Sequence, residues 1–186
     1  MSPSPAAIVF SGPVWPPATK PLRSACCRAV NDGHDSLILM MNSTGGGIDE
    51  GFGLYGFLRA LPVDLTVVNL GIVGSIANIV FLAGGTRIAV PDAVFLFHGF
   101  SWTYDPAQTV PEPEMREHLM ILGSVATRMR ALMQARTGLS DADFATHRFL
   151  ETPSIHPASF ALEKGIVHRV EQVALERSTR LINVEF

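Results

Sequence analysis

The chain has 186 residues, 47% of them hydrophobic, which suits one well-cored domain over 1–186 and is too apolar for a disordered segment. Its net charge of −3, with both signs dispersed, gives no basic surface for nucleic acid. Cys26 and Cys27 are adjacent and cannot close an ordinary disulfide, no Cys/His spacing matches a metal site, and no cofactor motif is present, so a reducing, cytoplasmic compartment is expected.

The start, MSPSPAAIVF, lacks the basic region and long apolar core of a signal peptide. Residues 7–10 read as a short apolar strand closed by Ser11, Gly12 and Pro13. Residues 17–30 suit a helix with prolines at its start, running into Asn31, Asp32 and Gly33. The continuous apolar run 37–41 predicts a strand buried on both faces. It breaks at once into Asn42, Ser43, Thr44, Gly45, Gly46 and Gly47. Asp49 and Glu50 then open an amphipathic helix through Phe52, Leu54, Phe57 and Leu58, which stops at Pro62.

Residues 65–85 carry no charge and are about long enough to span a bilayer. Asn69, Ser75, Asn78 and four glycines interrupt them, however, and their first half is β-branched. A buried strand over 65–73 followed by a helix over 75–83 fits better, with no membrane span. Strands over 87–90 and 94–98 flank Pro91 and Asp92. This alternation predicts an α/β domain with parallel strands, whose carboxyl ends collect functional groups. Gly45–Gly47, Ser75 and His98 all fall there.

Residues 99–113 are loop-like, with Phe100, Trp102 and Tyr104. A long helix over about 114–137 carries Met115, Leu119, Leu122, Val125, Met129, Leu132 and Met133 at helical spacing. At 1.5 Å per residue it would run about 35 Å, more than a domain of this size needs, and its Met-rich stripe suits self-association. Ser140 with Asp143 resembles a capping box opening a short helix. Residues 159–170 read as a helix, Gly165, then a short strand.

A serine hydrolase needs a nucleophile, a base within hydrogen-bond reach and donors for the oxyanion. Ser75 sits at a strand-to-helix turn beside Gly74, where the backbone can bend sharply and lift the hydroxyl clear. The helix that follows offers unpaired N–H groups and a positive dipole end. His98 is the candidate base, and Gly45–Gly47 let a carbonyl approach the backbone closely.

Together these segments resemble a known family. NSTGGGIDEGFGLYGFLRALPVD is similar to the Asn-Ser-Pro-Gly-Gly segment and following helix of the Clp protease proteolytic subunit, ClpP. GIVGSIANIVFLAGGTRIAVPDAVFLFHGF resembles that family's nucleophile segment, ending in its histidine, and FALEKGIVHRV resembles a later one. The resemblance implies a ClpP/crotonase-like spiral of ββα units with a protruding handle helix, and a serine endopeptidase acting inside a homo-oligomeric ring. It implies Ser75 as nucleophile, His98 as general base, and the amides of Gly46 and Ile76 as oxyanion hole. Gly45 and Gly47 would flank a peptide or unfolded-protein substrate bound as an added strand.

The sequence departs from the family at three points. At the position of its third triad member, an Asp, one alignment places His147 and another Pro153; Glu151 is the nearest carboxylate and Asp143 a more distant one. The front resembles a point well inside the family's first repeat, so the pore-gating hairpin has no expected counterpart and an ATP-dependent unfoldase partner is not expected. Thr44 replaces a proline. Two alternatives follow: a catalytically weak or inactive structural subunit beside an active paralogue, and an acyl-CoA enzyme of the crotonase type.

Overall fold

The structure, a computed structural model, describes residues 5–105 and 107–185. Three apolar strands organise it: β1 (Ala6–Ser11), β2 (Ser36–Ser43) and β3 (Asp64–Gly74) pair in parallel, β2 at the centre of the three. Crossovers connect them through α1 (Pro16–Asn31) and α2 (Ile48–Ala60). β2 alternates buried and half-buried residues, so one of its faces is only partly covered, in contrast to the expectation of burial on both.

β3 changes partner along its length. Thr66–Asn69 pair with β4 (Thr86–Ala89), whereas Ile72–Gly74 pair with β5 (Val94–Phe97). Asparagine side chains hold the change-over. Asn69 accepts from Gly71 N–H and donates to the Val94 carbonyl, and Asn42 accepts from Ile72 N–H. The short helix α3 (Ala77–Phe81) lies between β3 and β4 with every residue buried.

The handle, α4 (Glu112–Arg136), has 25 residues and about 37 Å of length. Its only buried residues, Val125, Met129 and Met133, are in its C-terminal half. Leu119 and Met120 are 70% and 71% exposed on the other half. Trp102 stacks on His118 of this helix at 3.7 Å, and the Tyr104 hydroxyl lies 2.8 Å from His118 Nδ1, so the loop after β5 is clasped to the handle.

Beyond it, α5 (Asp141–His147) begins with a full Ser140–Asp143 capping box, as the sequence predicts. β6 (Ser154–Pro157) runs antiparallel to β5, and α6 (Ala158–Glu163) leads to β7 (Arg169–Val170) on β4. β8 (Arg180–Asn183) pairs with β1 and completes an eight-stranded sheet. The mixed α/β architecture with a protruding helix is that expected from the sequence; β6 and β8 are additions. The core runs from Ile8 and Phe10 of β1 through Phe81 of α3 and Phe95 and Phe97 of β5 to Phe149. No helix among the described residues is long and apolar enough to cross a membrane; residues 65–85 form β3, α3 and a turn.

Candidate active site

Ser75 follows directly on β3 and has φ +52°, a left-handed conformation that costs a non-glycine residue about 1–2 kcal/mol. The surroundings hold it there. Ser75 N–H donates to the Leu96 carbonyl at 2.9 Å, anchoring the turn to β5. The buried Asn78 amide donates to the carbonyls of both Ser75 (3.0 Å) and Leu96 (2.9 Å). Sequence reading gave Asn78 no part in this site; an asparagine one turn into an otherwise apolar helix was its only signal.

The glycine turn lies against this serine. A Cβ on Gly45 would stand 2.7 Å from Ser75 Cβ and 3.3 Å from its Oγ, so only glycine allows the approach. Val14 pins the turn in a parallel bridge: its N–H donates to the Gly45 carbonyl and its carbonyl accepts from Gly47 N–H, both at 2.8 Å. Bridge geometry turns the N–H and carbonyl of Gly46 away from Val14. Gly46 N–H and Ile76 N–H make no hydrogen bond among the described residues. Ile76 packs where a Cβ on Gly51 of α2 would stand only 2.2 Å from its Cγ1, which fixes the amide's position. α3 has only five residues, so its dipole is small; what the turn offers is the Ile76 N–H itself.

His98 stands one residue beyond β5, half-buried. No hydrogen bond joins its ring to Ser75 Oγ among the described residues. Its Nδ1 instead lies 2.6 Å from the carbonyl oxygen of Gly99. Glu151 has its carboxylate on Arg148, 2.8 Å from Nε, with both side chains more than half exposed. Its main chain packs against the residue after the histidine: a Cβ on Gly99 would meet the Glu151 carbonyl at 2.7 Å. Asp143 is committed to its cap and to Lys164 at 2.9 Å. The Ser140 hydroxyl, then Lys164, hold its carboxyl well below the usual carboxylate range. His147 lies in an aromatic cluster with Phe149, His156 and Phe160. Burial, then His147, pushes the His156 pKa down.

A cavity of about 600 Å³ opens beside the turn, lined by Trp15, Gly46, Gly47, Asp49, Ser101 and Thr103 among others. It is the space next to the free Gly46 amide. No group of His, Cys, Asp and Glu that could hold a metal ion is present among the described residues.

Comparison with known proteins gives a consistent match. The family model for Clp protease matches residues 23–174. The chain is similar to ATP-dependent Clp protease proteolytic subunits of Sorghum bicolor and Zea mays, each 32% identical over 113 residues, 59% of this chain and 50% of the relative. The matched region thus spans about half the length of these curated relatives. Among solved structures, a ClpP1 point mutant from Listeria monocytogenes superposes with a TM-score of 0.76 over 92% of both chains at 17% identity, a likeness of fold.

Proposed function

The chain belongs to the Clp protease family, and from that premise we propose that it is a serine endopeptidase that hydrolyses peptide bonds inside an oligomeric chamber. The observation that carries this reading is the meeting of Ser75, in its left-handed turn, with the Gly45–Gly47 backbone, beside which the Gly46 and Ile76 amides make no hydrogen bond among the described residues. Two N–H donors near a raised serine are what an acyl-transfer oxyanion requires.

In this reading a peptide or unfolded protein segment binds as an added strand along Gly45–Gly47, with its side chains entering the adjacent cavity. Ser75 Oγ attacks the carbonyl carbon while its proton passes to His98 Nε2. The carbonyl oxygen becomes an oxyanion held by Gly46 and Ile76. His98 then protonates the leaving nitrogen as the C–N bond breaks. Water attacks the remaining ester, its proton going to His98; as the C–Oγ bond breaks, His98 returns that proton to Ser75 Oγ and the carboxylic acid product leaves. Glu151 would reach the histidine only by releasing Arg148.

Homo-oligomerisation is part of the proposal, because Met115, Leu119, Met120 and Ile121 leave an apolar surface on the handle. The relatives' names carry ATP dependence; our reading assigns no ATP-driven partner to this chain. The free pair Cys26 and Cys27 supports a reducing, cytoplasmic compartment. The family match gives the acyl-CoA alternative no support.

The second reading, a structural subunit of low activity, is favoured by the missing Ser75–His98 hydrogen bond. Hydrolysis of a fluorescein-labelled, denatured protein by the purified oligomer separates the two. Cleavage lost in both Ser75→Ala and His98→Ala supports the peptidase; a wild type no faster than Ser75→Ala supports the structural subunit.

A further inference from the structure

The antiparallel register of β5 and β6 pairs Phe95 with His156, Leu96 with Ile155 and Phe97 with Ser154. Continued by one residue, it sets His98 opposite Pro153. Directly opposed residues on antiparallel strands point to the same face, with Cβ atoms about 4.5–5.5 Å apart. Position 153 is therefore the place from which a β6 side chain would reach the His98 ring, and a proline occupies it. The nearby carboxylates are engaged elsewhere, Glu151 with Arg148 and Asp143 with Ser140 and Lys164. His98 Nδ1 has turned to the nearest acceptor, the Gly99 carbonyl at 2.6 Å.

We propose that this protein is a two-residue Ser75–His98 enzyme whose base is positioned by the main-chain carbonyl of Gly99, with Pro153 filling the seat of the orienting carboxylate. The inference rests on the peptidase reading above. A carbonyl oxygen can only accept, so it fixes the proton on Nδ1 and leaves the lone pair on Nε2. That is the tautomer a general base needs. What the carbonyl lacks is the negative charge that stabilises the imidazolium once it has taken the Ser75 proton. Replacing the orienting aspartate of an established triad by an amide costs about 10⁴ in turnover, with the wrong tautomer as the cause. Here the tautomer is right, so the deficit is smaller and confined to the charged state.

The balance of the first step is unchanged: the Oγ–H proton moves to Nε2, Oγ bonds to carbon, and the carbonyl π pair moves to oxygen. Restoring a carboxylate opposite His98 must favour this step and raise the pH at which the histidine titrates. Pro153 is exposed and immediately precedes β6, so substitution there leaves the core untouched.

The test is the second-order rate of fluorophosphonate labelling across pH for wild type, Pro153→Asp, Pro153→Asn and Glu151→Gln, with Ser75→Ala as the site control. We expect Pro153→Asp to label at least tenfold faster than wild type, with its inflection moved to higher pH. Pro153→Asn and Glu151→Gln should stay within about twofold of wild type. Equal rates for Pro153→Asp and Pro153→Asn would overturn the assignment of position 153. A tenfold loss in Glu151→Gln would overturn the role of Gly99 in favour of Glu151. An unlabelled wild type beside a labelled Pro153→Asp would instead sink the peptidase reading of the natural chain while supporting the vacant seat, and no label on either would sink both.

Discussion

Gly45 and Ser75 touch across the two turns of the site: the space that a Cβ on Gly45 would need lies 2.7 Å from Ser75 Cβ and 2.8 Å from the Gly74 carbonyl. Both contacts are with groups that cannot step aside, because the turn carrying them is tied to β5 through Leu96. Gly45→Ala should therefore displace the serine from the free amides. The expected result is a drop of at least 100-fold in peptidase kcat/KM, in a chain that still folds. Gly33→Ala is the control, since Gly33 has a similar positive φ of +88° with nothing within 4 Å. It should cost about 1 kcal/mol of stability and no activity.

Arg87 is 3% exposed and has no carboxylate partner among the described residues. Its guanidinium donates to the carbonyls of Gly84, Arg136, Gly165 and Ile166, which lie at the end of α4 and just beyond the ends of α3 and α6. Burial, then Arg136, pushes its pKa down to about 10, so it stays charged at neutral pH. Hydrogen bonds to a charged group contribute about 1.5–3 kcal/mol each, and the orphaned carbonyls would be buried. Arg87→Met, which retains the stem, should lower unfolding free energy in urea by more than about 3 kcal/mol. A loss under 1 kcal/mol would contradict the hub.

The capping box of α5 predicts a pH dependence. Asp143 is held below its unfolded pKa of about 3.9 by the Ser140 hydroxyl and by Lys164. The folded state thus binds this proton less readily than the unfolded state. The contribution is present above about pH 4 and is lost as pH falls through and below that value. Melting temperature should drop more between about pH 5 and pH 3 in wild type than in Asp143→Asn. Ser140→Ala should cost about 1 kcal/mol at neutral pH. Parallel acid profiles for wild type and Asp143→Asn would refute this assignment.

The handle makes a separable prediction. Leu119 and Met120 lie on the half of α4 that buries nothing, whereas Met129 and Met133 belong to the core. Leu119→Glu with Met120→Glu should reduce the proposed oligomer to smaller species by sedimentation velocity, with the melting of the isolated subunit unchanged. Met129→Ala should act the other way, costing about 2–5 kcal/mol of stability through a cavity. An intact oligomer in the double glutamate variant would show that another surface assembles it.

Much of the architecture was legible because hydrophobic runs and glycine turns coincide with element boundaries. β2 ends where the apolar run meets Asn42, and Ser75 leaves β3 immediately after Gly74. β6 was missed because Ser-Ile-His-Pro is short, half-polar and flanked by prolines, and it forms only by pairing with β5. β8 is equally short and depends on the edge of β1. α3 came out shorter than its apolar pattern because residues 82–85 form a turn that pattern alone does not mark. The serine, histidine and glycines were readable as residue types at strand ends. The surroundings of His98 were not: sequence left His147 and Pro153 as rival alignments, and the β5–β6 register, which pairs Phe97 with Ser154, is what favours Pro153 in our proposal.

Whether Ser75 is an activated nucleophile is read by fluorophosphonate labelling of the wild-type protein followed by intact mass, with Ser75→Ala alongside. An activated Ser75 gives one adduct per chain in wild type and none in the variant. An unmodified wild type, or an adduct that persists in Ser75→Ala, would contradict it.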